Sequence, residues 1–193
     1  MTLDHYEKLV ASTLQKLKLS KRATICFHYS ARFGRLDREA ILRGARSVYP
    51  DCEVVFVWIN THHPIRVFDE RAETDGSLAR GRYAIGSKNQ IYLSTTGHNP
   101  YRKMQGMPQV LEVNVYHKQI ANRGTSSTID NKAVAQQILS LTKLNWASTD
   151  SLCAEPITTK YAKDIAYLTA AFQRQGQGNF KLHSALEHTP WFI

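Results

Sequence analysis

The spacing of apolar residues divides the first third of the chain into helix, strand, helix and strand. Apolar positions recur at helical spacing across Leu3–Leu19, which predicts an amphipathic helix. The apolar run Ala23–Tyr29 predicts a strand, and the mixed segment Asp37–Val48 predicts a second helix. The near-continuous apolar run Cys52–Ile59 predicts a strand that is covered on both faces. Residues 23–59 are therefore expected to form a right-handed parallel crossover.

Shorter strand candidates follow in the middle of the chain, separated by turns that contain Gly, Pro and Asn. They are Pro64–Asp69, Gly81–Ser87, Asn89–Thr95 and Gln109–His117. Helical spacing returns at Thr128–Leu144, where Asp130 or a neighbouring Ser or Thr is the expected N-cap. A last helix is predicted at Thr159–Gln173, with an inward face formed by Tyr161, Ile165, Leu168 and Phe172. With no internal repeat and no low-complexity linker, these elements predict one α/β domain over residues 1–193, or part of one.

The charge of the chain indicates the class of its partner. Against 16 Asp and Glu there are 25 Lys and Arg, so the net charge is +9. A domain this basic usually meets a polyanion, with nucleic acid as the first candidate and a membrane surface as the second. A basic soluble protein without such a partner is the alternative. No apolar run approaches the roughly 20 residues that a membrane helix needs.

The cysteines and the first residues are typical of a protein in a reducing compartment. Cys26 and Cys52 lie in apolar runs, Cys153 stands apart, and their spacing is not that of a metal site. Free thiols are therefore expected. The N-terminal residues lack the basic start and apolar stretch of a signal peptide. These features together predict a cytoplasmic location.

Clustered carboxylates and histidines give weak signals for a metal site. Asp69, Glu70 and Asp75 could hold Mg²⁺, but their segment has the composition of an exposed turn with solvated charges. His62 and His63 are adjacent, so in a strand their side chains would point to opposite faces. No glycine-rich phosphate loop and no Ser, His and Asp set stands out.

Basic residues in loops that follow strands are stronger candidates for chemistry. These loops also carry Ser, Thr and Asn, which donate hydrogen bonds to phosphate oxygens. The segment Ala121–Thr128 leads into a helix N-terminus, where backbone N–H groups and the helix dipole favour anions. Ordinary solvated loops are the alternative. The expected contacts to a nucleic-acid backbone are Arg32, Arg35, Arg102, Lys103, Lys118 and Arg123.

The order of these segments resembles the C-terminal half of the PIWI domain of prokaryotic Argonaute proteins. The PIWI strand that ends at a catalytic aspartate, with its helix, resembles ICFHYSARFGRLDREAI. The strands and loop that face the guide–target duplex resemble IYLSTTGHNPYRKMQGMPQVLEVNVYH. The paired late helices are similar to QQILSLTKLNWAS and PITTKYAKDIAYLTA, and the apolar C-terminus is similar to TPWFI. The resemblance covers nearly the whole chain and implies an α/β, RNase H-like mixed sheet flanked by helices.

The resemblance also implies that the chain is catalytically inactive. Active members of the family use four metal-binding residues, of which two would fall in this chain. Their positions match Ser30 and Lys163, and neither residue is a carboxylate or a histidine. A serine hydroxyl is a poor anchor for Mg²⁺ alone, and a lysine ammonium would repel the ion. Asp164 is the next residue, but it lies roughly 100° further round the helix.

The ligands and partners that the resemblance implies are guide and target nucleic acid, either RNA or DNA. The terminal carboxylate of Ile193 would bind the Mg²⁺ ion that holds the 5′-phosphate of the guide. A partner chain or a preceding segment would supply the MID domain and the N-terminal portion of PIWI. A role in prokaryotic defence beside an effector is implied by the resemblance alone.

Two other functions stay open at the level of sequence. One is a metal-dependent nuclease that uses Asp69, Asp75 and Glu112, or Asp164. The other is a basic scaffold that binds only protein.

Overall fold

The structure, a computed structural model, is built on one five-stranded mixed sheet with helices on both faces. It describes residues 2–21, 23–72, 76–97, 107–119, 130–145, 153–176, 183–186 and 189. The strands are β1 (Thr24–Tyr29), β2 (Glu53–Asn60), β3 (Tyr83–Ser87), β4 (Gln90–Leu93) and β5 (Leu111–Gln119). The helices are α1 (Leu3–Lys16), α2 (Arg35–Val48), α3 (Asn131–Leu141) and α4 (Ile157–Arg174), and 3₁₀ turns form at Thr142–Leu144 and Ser184–Leu186.

The strand order in the sheet is β1-β2-β5-β4-β3. β1 and β2 are parallel and are joined through α2, as the strand–helix–strand pattern predicts. The remaining neighbours, β2 with β5, β5 with β4 and β4 with β3, are antiparallel. The prediction of a mixed α/β sheet is therefore confirmed.

Strand β2 lies at the centre of two hydrophobic clusters. Val54 and Phe56 pack with α1 and α2 on one face of the sheet. Val55, Val57 and Ile59 pack with α3 and with apolar residues of β4 and β5 on the other face. All five side chains are at most 2% exposed. A strand covered on both faces needs an unbroken apolar run, and this requirement explains the sequence of β2.

Helices α1 and α2 approach each other closely at Gly44. A methyl group built on Gly44 would lie 2.7 Å from the backbone oxygen of Glu7 and 3.0 Å from Cβ of Val10. At the rim of the contact, Arg43 Nε forms an ion pair of 2.8 Å with Glu7. The absence of a side chain at position 44 therefore sets the distance between the two helices.

Helix α1 ends earlier than predicted, at Lys16 instead of Leu19. Leu17 is the C-cap and has an extended backbone. The hydroxyl of Tyr49 donates to the carbonyl oxygen of Leu17 and accepts a hydrogen bond of 3.2 Å from the backbone N–H of Leu19. A side chain 30 residues away thus replaces the next helical turn.

The predicted strand Pro64–Asp69 does not form, apart from one isolated bridge between Phe68 and Ser77. Pro64 has no N–H to donate to a ladder. The carbonyl oxygen of His63 is occupied by the Gln109 amide at 2.8 Å. A side-chain contact from a distant part of the chain therefore occupies the backbone just before this segment, where strand pairing was predicted to begin.

The two ends of α3 and the inward face of α4 differ from the sequence prediction. Helix α3 begins at Asn131 behind its N-cap Asp130, and it tightens into the 3₁₀ turn after Leu141. Thr159 is the one buried residue of α4, and Ile165, predicted to face inward, is 37% exposed. Apart from Thr159, the residues of α4 are therefore half-buried or exposed.

Strand β3 forms one edge of the sheet and is irregular. The register with β4 shifts between Ile85 and Ser87. At the shift lies Gly86, where a Cβ atom would come within 2.7 Å of the side chains of Gln90 and Tyr92. Strand β1, at the opposite edge, pairs with β2 without a shift over its whole length.

The described residues agree with two predictions about the environment. All three cysteines are free, with Cys52 buried and burial raising the pKa of the Cys26 and Cys52 thiols. In the described ranges, no helix has both the length and the apolar character to cross a membrane. The cytoplasmic location stays a prediction.

Replacing Gly44 by alanine is expected to destabilise the protein. In a solvated helix this change is worth roughly 1 kcal/mol of added stability. Here the clash with the α1 backbone should reverse the sign and lower the free energy of unfolding by about 1–3 kcal/mol. Urea denaturation measures the change, and Arg46→Ala on the exposed face of α2 is the control, expected within about 0.5 kcal/mol of the wild type. A Gly44→Ala protein more stable than the wild type would contradict the close contact.

Candidate nucleic-acid interface

The loop between β1 and α2 folds back over the sheet and is held there by aromatic rings. The Phe33 ring packs at 5.1 Å from the Tyr29 ring and meets the Phe56 ring edge-on at 5.0 Å. One residue earlier, the guanidinium carbon of Arg32 lies 4.9 Å from the centroid of the Trp58 ring. The loop that contains the first predicted phosphate contact is therefore anchored at two neighbouring residues.

Two of the predicted phosphate contacts, Arg32 and Arg35, lie within the described residues. The side chain of Arg35 is 85% exposed, and its Nε forms an ion pair of 3.0 Å with Glu39. The backbone of Lys118 lies in β5, opposite Val54 of β2. The others lie outside the described residues and stay predictions: Arg102, Lys103, Arg123 and Ile193.

The N-termini of α2 and α3 each carry a carboxylate of their own. Asp37 accepts a hydrogen bond of 3.0 Å from the N–H of Gly34 at the start of α2. Asp130 accepts one of 3.0 Å from the N–H of Lys132 at the start of α3. A carboxylate at a helix start satisfies its N–H groups and repels a second anion. These two N-termini are therefore poor phosphate sites, which opposes the sequence-based expectation for α3.

The positions that match the catalytic residues of the family lie at the end of β1 and on α4. Ser30 directly follows β1. Lys163 Nζ forms an ion pair of 2.8 Å with Glu155. The neighbouring Asp164 pairs with Lys160 at 2.9 Å. The hydrogen bond to Asp164, offset in part by desolvation, raises the pKa of Lys160. Glu155, just before α4, and Asp164 on the helix thus each pair with a lysine ammonium group.

His28 joins β1 to the first turn of α4, a contact that the sequence did not indicate. Its Nδ1 lies 2.9 Å from the hydroxyl oxygen of Thr158. Its Nε2 is buried and has no hydrogen-bond partner among the residues that the structure describes. Burial lowers the pKa of His28 to about 4, so the ring is neutral at neutral pH.

Glu112, a metal ligand in the nuclease alternative, is held by three side-chain amides. It accepts hydrogen bonds of 2.8 Å from Asn60, 2.7 Å from Gln90 and 3.1 Å from Asn114. Desolvation raises the pKa of the carboxyl, but these bonds and the charge of His63 outweigh it, so the pKa is lowered overall. With both oxygens already accepting hydrogen bonds, Glu112 serves as the centre of a polar network.

Among the described residues, the other members of the nuclease alternative do not form a group that could hold a metal ion. Asp69 accepts a hydrogen bond of 3.1 Å from the backbone N–H of Arg71 inside its own turn. Asp75 lies outside the described residues. Across the residues that the structure does describe, no three His, Cys, Asp or Glu side chains are grouped to hold a metal ion.

Because of His28, the folded protein is expected to become less stable as the pH is lowered. Its pKa is about 4 in the folded chain and 6.5 when exposed, so between these values the unfolded chain binds a proton that the folded chain does not. The free energy of unfolding should therefore decrease by about 3 kcal/mol from pH 6.5 to pH 4. Urea denaturation across this range measures it.

The variant His28→Gln should flatten that decline, because the amide does not titrate. His62→Gln, which replaces an exposed histidine, is the matched control and should keep it. Equal pH dependence in the wild type and His28→Gln would refute the assignment.

Comparison with known proteins identifies the fold through solved structures. Neither the family models nor the curated protein sequences give a match. The Argonaute of Methanocaldococcus jannaschii, solved with guide DNA, aligns with 98% of this chain at a TM-score of 0.65 and 13% identity. An Aquifex aeolicus Argonaute structure aligns with 87% at 0.62 and 22% identity. The Clostridium butyricum Argonaute, bound to guide and target DNA, aligns with 90% at 0.60 and 20% identity.

The aligned region is a small part of each of those proteins. This chain spans 24%, 22% and 20% of their respective lengths. The described elements, a mixed sheet with a parallel strand pair and flanking helices, account for the match. The chain therefore has the PIWI-like α/β fold of prokaryotic Argonaute structures, over a part of their length.

Proposed function

We propose that this chain is a catalytically inactive PIWI portion, the C-terminal half of that domain, which binds guide and target nucleic acid. The observation that carries the proposal is the match of fold over 98% of the chain to an Argonaute solved with guide DNA. The net charge of +9 supports it, since phosphodiester chains bind chiefly through charge.

The residues at the two catalytic positions support the lack of nuclease activity. Ser30 offers a neutral hydroxyl where a metal ion needs a carboxylate. At the other position, the Lys163 ammonium is fixed by its ion pair with Glu155. A fixed positive charge opposes a divalent cation nearby.

Most of the proposed contacts to the nucleic-acid backbone come from basic loops. Arg32 precedes α2 and Arg35 begins it, near the end of β1 where Ser30 lies. Each contact is proposed from charge and position in the chain. The remaining proposed contacts are Arg102, Lys103 and Arg123, and Lys118, which lies in β5 instead of the loop that the sequence predicted after His117.

The terminal carboxylate of Ile193 is proposed to ligate a Mg²⁺ ion together with the 5′-phosphate of the guide. This proposal rests on the family resemblance, and carboxylate and phosphate oxygens are ligands that Mg²⁺ prefers. The MID domain and the N-terminal portion of PIWI are proposed to come from a partner chain or from another segment of a longer protein.

The low burial of β1 and its position at the edge of the sheet support such an additional segment. Its Ile25, Phe27 and Tyr29 side chains give one face of the strand an apolar character, yet no residue of β1 is fully buried. In contrast, β2 reaches full burial at five positions. Within the described residues, β1 also has a strand on one side only. An apolar edge strand with free backbone groups is a surface on which further strands add.

The first expected result is salt-dependent binding of nucleic acid. Fluorescence anisotropy with a labelled short DNA duplex and a labelled RNA–DNA duplex should give affinities that fall steeply as salt rises, because released counterions drive phosphate binding. The duplexes should stay uncut in Mg²⁺ or Mn²⁺ on a denaturing gel. Salt-independent association, or cleavage that Asp164→Ala abolishes, would reject the proposal.

The same assay tests the metal through a comparison of two guide strands. A 5′-phosphorylated strand should bind more tightly than a 5′-hydroxyl strand in Mg²⁺, and EDTA should remove the difference. Because the MID portion contributes to this site, the assay uses the complex with the segment that supplies it. Equal binding of the two strands in Mg²⁺ would reject the role of Ile193.

Hydrogen–deuterium exchange should locate the added strands at β1. In a parallel pair, alternate N–H groups of β1 point away from β2. These amides should exchange quickly in the isolated chain and slowly in the complex. The amides of Glu112–Asn114 in β5 are the control, since β2 and β4 pair with this part of the strand on both sides. Unchanged exchange along β1 in a stable complex would place the missing portion elsewhere.

A further inference from the structure

The arginines around α1 and α2 are held in two different ways. Arg35 is paired with Glu39 at 3.0 Å, and Arg43 is paired with Glu7 at 2.8 Å. Arg32 instead lies over the Trp58 ring at 4.9 Å, and no carboxylate of the described residues pairs with it. Of these three arginines, Arg32 alone is positioned by an uncharged group.

A neutral support has a different consequence from an ionic one. A carboxylate that orients an arginine also offsets its charge and occupies its N–H donors. An aromatic ring contacts the face of the guanidinium plane and leaves the donors on its rim directed outward. Arg32 therefore keeps both its charge and its hydrogen-bonding edge for a second anion.

Trp58 is itself held in place by the sheet. In the register it stands between Tyr29 of β1 and Asn114 of β5. The amide of Asn114 is fixed by its hydrogen bond of 3.1 Å to Glu112. From the loop side, Phe33 packs on Tyr29 at 5.1 Å. The backbone of Trp58 and the loop that carries Arg32 are thus both anchored by contacts within the chain.

We infer that Trp58 is a positioning residue that orients Arg32 toward the phosphodiester backbone of a bound nucleic acid. This inference rests on the proposed function. It adds that Arg32 contacts the phosphate, whereas Trp58 only orients Arg32. Preorganisation of this kind improves affinity because less side-chain freedom is lost on binding.

A double-mutant cycle tests the inference with anisotropy of the labelled DNA duplex and the complete complex. Arg32→Ala should weaken binding about tenfold or more, as expected for a charged hydrogen-bonding contact. Trp58→Leu should weaken it about two- to fivefold, the range of a partly exposed cation–π pair. In the double variant, Trp58→Leu should add less than about twofold to the loss caused by Arg32→Ala, because Trp58 acts through Arg32.

Three further variants separate positioning from general damage. Trp58→Phe keeps an aromatic face and should recover most of the affinity. Trp58→Met, which also lacks an aromatic face, replaces Trp58→Leu in the cycle if the leucine variant does not fold. Tyr116→Leu removes another aromatic ring from the same face of the sheet and should leave affinity unchanged. Arg35→Ala should cost less than Arg32→Ala, since Glu39 already offsets its charge. Thermal melting confirms that each variant is folded.

The outcomes distinguish this inference from the proposed function. If the wild type binds and the two losses multiply in the double variant, Trp58 acts independently of Arg32 and the inference is overturned. Unchanged affinity in Trp58→Leu overturns it as well. If the wild type itself does not bind nucleic acid, the proposed function falls, and the positioning role falls with it.

Discussion

Burial of β2 on both faces is the constraint on which the rest of the molecule depends. The strand is shared by the two hydrophobic clusters, so neither the α1–α2 layer nor the α3 layer can pack without it. A polar residue anywhere between Val54 and Val57 would leave a buried group without a partner. On one side β2 pairs with β1 in parallel, and on the other side it pairs with β5 in antiparallel direction. These two pairings make the sheet mixed.

Along one face of β2, four alternate side chains change from fully buried to partly exposed. Val54 and Phe56 are buried under α1 and α2, Trp58 is half-buried beneath Arg32, and Asn60 binds Glu112. On this face, β2 therefore contributes core residues at one end and partly exposed side chains at the other. The loop that carries Arg32 is held by contacts of Phe33 and Arg32 with rings of the sheet, one of which, Phe56, belongs to the hydrophobic core.

Local patterns in the sequence predicted the elements better than they predicted the contacts. The segments that form β1, β2, α2 and α4 could be recognised in the sequence, because a helix or strand that is partly buried repeats its apolar residues at a regular spacing. The end of α1 was misplaced because it depends on the hydroxyl of Tyr49, which is distant in sequence. The segment Pro64–Asp69 looked like a strand, but the Gln109 amide binds the carbonyl oxygen of His63 just before it, a contact between residues 46 positions apart.

The candidate site shows the same limit more strongly. Arg32 was found from charge and loop position, whereas its support, Trp58, looked like any apolar residue of a strand. The contact between His28 and Thr158 joins residues 130 positions apart, and the amides round Glu112 come from three strands. Only the register of the sheet brings such groups together, and the register cannot be read from composition.

The shifted register at Gly86 has a consequence for how the sheet can be extended. A bulge twists an edge strand away from the plane in which a new strand would pair, and β3 carries one at its centre. The opposite edge, β1, is regular from end to end. Of these two edge strands, β1 therefore offers the regular row of backbone groups that a further strand needs for pairing, and β3 does not.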